Sequence, residues 1–324
     1  MLSVTEYKEV FLTYLQEELK VKNPVHLYHP VSYILELGGK RIRPVLVMLG
    51  VSAFQQEVKK ALPAAAAIEV FHNFTLLHDD IMDAAPLRRG QLTVHEKWDT
   101  NTAILSGDVM MILASQFLEK YEGATYKRLT TLFNRTAIEV CEGQQYDMDF
   151  EKREEVSVEE YIEMIRLKTS VLVAAALKMG AIIAESSEEE AQKMYDFGLH
   201  LGIAFQLQDD YLDVYGDAAT FGKQVGGDII ENKKTYLYIQ ALKNVNAEHR
   251  AVLLDLYSQN LEENTLKIEK VKAIFNANAI DELTKVAIRS YTQKAFQVLE
   301  SMNIAPERKA MLQKFGENLM VRKV

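Results

Sequence analysis

Apolar positions recur three and four residues apart along almost the whole chain, the spacing of one face of an α-helix. No stretch alternates with period two between hairpin turns. Proline and glycine punctuate the pattern. Pro30 precedes an apolar-patterned stretch that stops at Gly38-Gly39, which predicts a helix with proline near its start and glycine at its close. Pro44 opens another over Val45–Leu49. Pro63 opens the run Ala64–Asp83, and Pro86 predicts its end at about Ala85. Long helices are predicted over Val94–Lys120, Thr125–Phe150, Val158–Ala184 and Glu188–Val214, and four or five shorter ones between Lys233 and Arg322. No linker or low-complexity tract divides the pattern, so residues 1–324 are expected to form one all-α domain.

Composition sharpens this reading. Hydrophobic residues make up 48% of the 324 and charged residues 26%, a globular balance. With 15 Gly and 6 Pro the chain is short of the turn residues that a β-rich fold of this length needs. The one cysteine, Cys141, cannot form an internal disulfide and reads as a small buried apolar residue. Glu6, Glu9, Glu17 and Glu18 make Met1–Lys20 an amphipathic helix rather than a leader. Val171–Ala184, interrupted by Lys178, is too short to cross a bilayer, so no transmembrane segment and a cytoplasmic location are expected. A net charge of −9 argues against a nucleic-acid partner and makes local basic clusters more informative.

Two segments echo one another: Leu77-His78-Asp79-Asp80-Ile81-Met82-Asp83 and Leu207-Gln208-Asp209-Asp210-Tyr211-Leu212-Asp213. Each is a DDxxD pattern near the C-terminal end of an apolar helix. Residues three and four apart share a helical face, so Asp79, Asp80 and Asp83 converge, as do Asp209, Asp210 and Asp213. Three carboxylates at the negative end of a helix dipole repel one another unless a hard divalent cation neutralises them. Oxygen ligands with spare coordination positions suit Mg²⁺, which keeps waters and bridges to phosphates. A single such pattern is more often a solvated helix end; two, both on apolar helices, are not. Basic groups complement them. Gly38-Gly39-Lys40-Arg41-Ile42-Arg43 sets three cations on a glycine turn before a helix start, which suits a diphosphate. Arg88-Arg89-Gly90 follows the first cluster, Lys168-Thr169 sits among apolar neighbours, and Gly222-Lys223 and Asn232-Lys233-Lys234-Thr235 follow the second. Singly, each is more often a surface charge. Together with the carboxylates they fit two anionic phosphate substrates, one held through metal and one by cations.

From Gly38 to Thr235 the sequence resembles the trans-isoprenyl diphosphate synthases of farnesyl and geranylgeranyl type. The resemblance rests on GGKRIRP, LLHDDIMDAAPLRRG, GQQYD, LKTS, FQLQDDYLDVYGD and GKQVGGDIIENKKT. It implies the type I isoprenoid synthase fold, a bundle of long antiparallel helices around a deep central cavity, as a homodimer. Asp79, Asp83 and Asp209 would bind directly to a set of three Mg²⁺ ions, supported by Asp80, Asp210 and Asp213. Arg88, Lys168 and Lys223 would bind the allylic diphosphate. Lys40, Arg43, His72 and Arg89 would bind isopentenyl diphosphate, joined by Arg322 of the tail. Thr169, Gln206 and Phe205 would flank the reacting carbons, Gln144 and Asp147 would face the cavity, and Lys233 would lie near the second cluster. The implied reaction is ionisation of an allylic diphosphate, addition of isopentenyl diphosphate to the cation, and loss of a proton to the departed diphosphate.

Three other readings are weaker. Class I terpene cyclases share the first motif and usually replace the second, which is intact here. An HD-type phosphohydrolase would use His72 and His78-Asp79, but seven scattered His supply its metal site poorly. A non-catalytic subunit of a heteromeric synthase would show eroded aspartates. For product length, residues four and five before Asp79 lie roughly 6 to 7.5 Å further along the helix. These are Thr75 and Phe74. A small residue at the first and a ring at the second resemble the archaeal-type geranylgeranyl synthases, so a twenty-carbon product is expected, with fifteen carbons or a somewhat longer chain as alternatives. Met110 and Met111 are expected to line the cavity wall.

Overall fold

The computed structural model describes residues 3–216, 225–258 and 264–321. Ten helices lead to the second aspartate cluster: α1 (Val4–Glu18), α2 (Val25–Glu36), α3 (Ile42–Ala53), α4 (Leu62–Met82), α5 (Val94–Lys97), α6 (Thr100–Leu118), α7 (Gly123–Lys152), α8 (Val158–Ile165), α9 (Val171–Ile183) and α10 (Glu188–Tyr215). After it come α11 (Gly227–Ile230), α12 (Tyr236–Asn244), α13 (Ala247–Ser258), α14 (Asn264–Ala277), α15 (Ile280–Ser301) and α16 (Pro306–Met320). Their starts carry the expected chemistry. Ser3 with Glu6 and Ser157 with Glu160 form capping boxes at α1 and α8, and Ser187 accepts from the Glu190 amide at α10. Glu159 and Glu160, and Glu188 to Glu190, also put acidic charge in the first turns of α8 and α10.

Four predicted boundaries change. Pro30 lies inside α2, which starts earlier, after Pro24; the buried face of Pro30, Val31, Ile34 and Leu35 offsets the backbone bond that Pro30 cannot make. The stretch Val94–Lys120 is broken at Trp98, where Asp99 caps α6 afresh through the Thr102 amide. A π-helical turn, Arg166–Ser170, interrupts Val158–Ala184. A short antiparallel hairpin, β1 (Leu87–Arg88) with β2 (Gln91–Leu92), occupies the loop after α4, and Gly90 takes its positive φ.

Helix α6 lies along α4, α9 packs between α3 and α10, and α15 runs along α10. Two apolar cores result. One gathers α1–α4, α6, α7, α9, the first half of α10, the end of α15 and α16; the other gathers α8, the second half of α10, α11–α14 and the start of α15. Met110 is fully buried in the first and Met111 packs against it. Helix α6 has the length and apolar composition of a membrane span, more so than Val171–Ala184, and it lies against α4. Both aspartate clusters fall at the C-terminal ends of long helices, α4 and α10, which open onto one cavity.

Candidate active site

The cavity, about 1090 Å³, is lined by the start of α3, the last turns of α4, the hairpin, α7, the π turn and α10. Its polar end brings together Lys40, Arg43, His72, Asp79, Asp80, Arg88, Arg89, Lys168, Thr169, Gln206 and Asp209. Its apolar wall includes Phe74, Val140, Cys141, Leu172 and Phe205, with Thr75 and Gln144 beside them. Asp83, Asp210, Asp213 and Lys233 stand outside this lining. Lys223 and Arg322 lie outside the described residues. The methionines expected in the wall belong to the core instead, and the cysteine expected in the core is exposed in the wall, because its helix α7 turns that face inward to the cavity.

In the first cluster the three carboxylates differ. Asp80, buried, accepts a bidentate pair from Arg88 at 2.6–2.8 Å. Asp79 and Asp83 accept no side-chain hydrogen bond among the described residues, and Asp83 stands exposed at the rim. Burial pushes Asp79 up to about 6, against the pull of Lys168 and Arg88 and with repulsion from Asp83 and Asp147. Asp83 is raised as well, chiefly by desolvation. In the second cluster Asp209 faces the cavity. Asp210 is buried and accepts from the Tyr161 hydroxyl at 2.6 Å and the Gln206 amide at 3.1 Å. Burial, then repulsion from Asp228, pushes it up to about 7. Asp213 accepts from the Asp228 amide at 3.1 Å and so holds the start of α11.

The donor set suits magnesium. All candidate ligands are hard oxygens, and among the described residues no three metal-ligating side chains are already gathered into a cage. That fits an ion held by one or two carboxylates, with waters and substrate phosphates completing its shell.

The basic side is built on the glycine turn. Arg41 adopts a left-handed backbone conformation and begins α3 without a side-chain cap, and Ile42 and Arg43 of its first turn line the cavity. The Arg41 guanidinium is buried and pairs with Glu69, donating also to the Leu35 carbonyl. Asn73 donates to Glu69 Oε1 at 3.1 Å. Arg89 donates to the Gly38 carbonyl and covers Gly39, where any Cβ would strike its guanidinium; Lys8 holds the Gly39 carbonyl at 3.0 Å. Arg43 lies 3.1 Å from His72 Nε2. Because Arg only donates, that nitrogen is an acceptor and His72 is neutral; burial and the surrounding arginines hold its pKa well below the usual range.

The π turn places the remaining groups. Arg166–Ser170 inserts one residue's worth of rotation, so Lys168 and Thr169 face the cavity while Leu167 and Ser170 stay buried. Gly143 of α7 makes room for it, since a Cβ there would enter the Lys168 backbone. Lys168 meets Asp147 at 2.5 Å, and Thr169 donates to Gln206 at 3.3 Å. Lys233 pairs with Glu231 at 2.8 Å, close enough to Asp83 to oppose its upward shift.

Sequence reasoning counted Arg41 among the three diphosphate cations of the glycine turn, whereas its guanidinium is buried against Glu69; it gave no role to Glu69, Asn73 or Tyr161. Glu69 alone carries a visible signal, a carboxylate in the middle of the apolar run Ala64–Phe71.

Comparison with known proteins gives the family. The polyprenyl synthetase profile matches residues 24–277. A geranylgeranyl diphosphate synthase of Methanosarcina mazei is 38% identical over 303 residues, covering 92% of this chain and 91% of that one. A geranylfarnesyl diphosphate synthase of Natronomonas pharaonis is 34% identical over 328 residues, 95% and 93% of the two chains. Among solved structures, a geranylgeranyl pyrophosphate synthase is 51% identical with TM-score 0.96, covering 99% of both chains. Another, from Corynebacterium glutamicum and complexed with isoprenyl diphosphate and magnesium, is 28% identical with TM-score 0.88, covering 99% and 100%. Fold, paired aspartate helices and these relatives lead to one conclusion: the chain belongs to the polyprenyl synthetase family and is a prenyltransferase.

Proposed function

We propose that the protein condenses isopentenyl diphosphate with allylic diphosphates to give an all-trans product, chiefly the twenty-carbon geranylgeranyl diphosphate. The observation that carries this is the polarity of one cavity, lined by carboxylates and cations together with an apolar wall that includes Phe74. Lys168, with Lys223 and Arg88, holds the allylic diphosphate; Lys40, Arg43 and Arg89 hold the other, with neutral His72 orienting Arg43. Asp79, Asp83 and Asp209 would hold Mg²⁺, three ions in all, with Asp80, Asp210 and Asp213 behind them, and the metal would supply positive charge against the departing diphosphate.

The allylic C–O bond breaks and the diphosphate leaves with the electron pair. The double bond of isopentenyl diphosphate then forms the new C–C bond, and the released proton passes to the departed diphosphate. Thr169, Gln206 and Phe205 flank the cation, and the apolar wall keeps water from it. The growing tail runs toward Phe74, whose ring meets Phe71 and His78 with centroids 5.7 and 4.8 Å away. The geranylfarnesyl synthases among its relatives favour a second reading, a product one isoprene unit longer. Exposed Ile104, Leu105 and Ile112 of α6 and Ile138 of α7 suit a homodimer face, and we place the enzyme in the cytoplasm.

The test is incubation of the enzyme with labelled isopentenyl diphosphate, farnesyl diphosphate and Mg²⁺, with products resolved by chromatography. A labelled twenty-carbon product is expected. No incorporation with any allylic primer sinks the reading.

A further inference from the structure

Gln206 has a carbonyl oxygen and an amide nitrogen, and which of them faces the reacting carbons decides whether it helps or opposes a cation. The chain around it settles this. The Gln206 Nε2 amide donates to Asp210 Oδ1 at 3.1 Å. That leaves Gln206 Oε1 as the free end, accepting from the Thr169 hydroxyl at 3.3 Å beside the cavity. Asp210 is itself held from behind by the buried Tyr161 hydroxyl, at 2.6 Å on Oδ2, and by the Tyr236 backbone amide at the start of α12. Every one of these neighbours donates to Asp210, so its two oxygens are engaged by Gln206, Tyr161 and the start of α12. Burial and the adjoining carboxylate keep Tyr161 protonated and donating.

We propose that Tyr161 and Asp210 are positioning residues that lock the Gln206 amide with its carbonyl oxygen toward the allylic cation. The inference rests on the proposed prenyl transfer and adds to it the source of the orientation. A fixed carbonyl dipole stabilises positive charge as it develops, and does nothing for a neutral substrate. The lock therefore acts on the charged state and not on diphosphate binding. Without it the amide is free to turn and present its N–H groups to the cation.

The experiment compares two inhibitors on the intact enzyme with Mg²⁺. One is an allylic ammonium diphosphate, in which a protonated nitrogen replaces the cationic carbon; the other is the neutral thiolo-diphosphate of the same chain. Tyr161→Phe is expected to weaken the ammonium compound about tenfold, the scale of one charge-linked hydrogen bond, and the neutral one less than about twofold. Turnover should fall about tenfold with the KM of both substrates unchanged. Gln206→Leu should lose the same charge preference, and the double variant should lose no more than Gln206→Leu alone. Should Tyr161→Phe not fold, Tyr161→Met, which removes the same hydroxyl and keeps an apolar side chain in the core, gives the same selective loss. Equal weakening of both inhibitors, full retention of charge preference, or additive losses in the double variant would overturn the lock while leaving prenyl transfer intact. A wild-type enzyme that binds neither inhibitor and makes no product would overturn both.

Discussion

Asp79 shows most directly what the site asks of a single side chain. Burial raises its carboxyl from 3.8 to about 6, so in the metal-free fold it carries a proton over a range where the unfolded chain has lost it. The folded state then binds more protons between those values, and its stability falls as pH rises through them. Asp79→Asn is expected to melt above the wild type at pH 7.5 without metal, and to lose that advantage at pH 4. Turnover in the same variant should drop by orders of magnitude. Metal binding needs the ionised form, so the apparent Mg²⁺ affinity of the wild type should weaken as pH is lowered through 6. Titrating Mg²⁺ against pH checks the sign; an affinity that is flat from pH 5 to 8 contradicts it. Glu69 is the opposite case, a buried charge already paired. Glu69→Ala leaves Arg41 without compensation and should cost about 3–5 kcal/mol in denaturant unfolding. The aspartates and the cations of the glycine turn were legible because their spacing is local. Arg41 with Glu69, and Tyr161 with Asp210, were not, because each pair joins residues far apart in the chain.

Among the elements, α4 and the π turn are the ones to which the proposed reaction assigns specificity. Helical periodicity made α4 and α10 readable, since apolar residues on a 3.6-residue repeat are what each helix buries. The π turn was invisible because its extra residue sits inside one continuous helical pattern, Val158–Ala184, and the space for it comes from Gly143 on another helix. The hairpin was invisible for a related reason: two residues per strand show no alternation. Phe74 tests α4. Phe74→Ala removes one ring of the stack formed by Phe71, Phe74 and Phe133, and products beyond twenty carbons should appear from farnesyl diphosphate and excess isopentenyl diphosphate. A folded, active variant with unchanged products would show that the floor lies elsewhere. Gly143→Ala tests the π turn. The added methyl collides with the Lys168 backbone, so turnover should fall at least about tenfold while the circular dichroism of the helices is retained.

At the scale of the whole molecule, the chain folds two apolar cores around one cavity whose mouth is charged and whose wall is not. That wall contains the one thiol of the chain, exposed on α7, with burial and the Asp79 charge raising its pKa. The protein therefore carries a built-in attachment point for a reporter within the space that the hydrocarbon tail is proposed to fill. An alkylating reagent should react there with a stoichiometry of one, and slowly at neutral pH because little thiolate is present. A long allylic diphosphate with Mg²⁺ should shield Cys141, whereas inorganic diphosphate, confined to the mouth, should not. A fluorophore at that position turns tail occupancy into an optical signal, and the shortest allylic chain that quenches labelling measures how far the cavity reaches past Asp79.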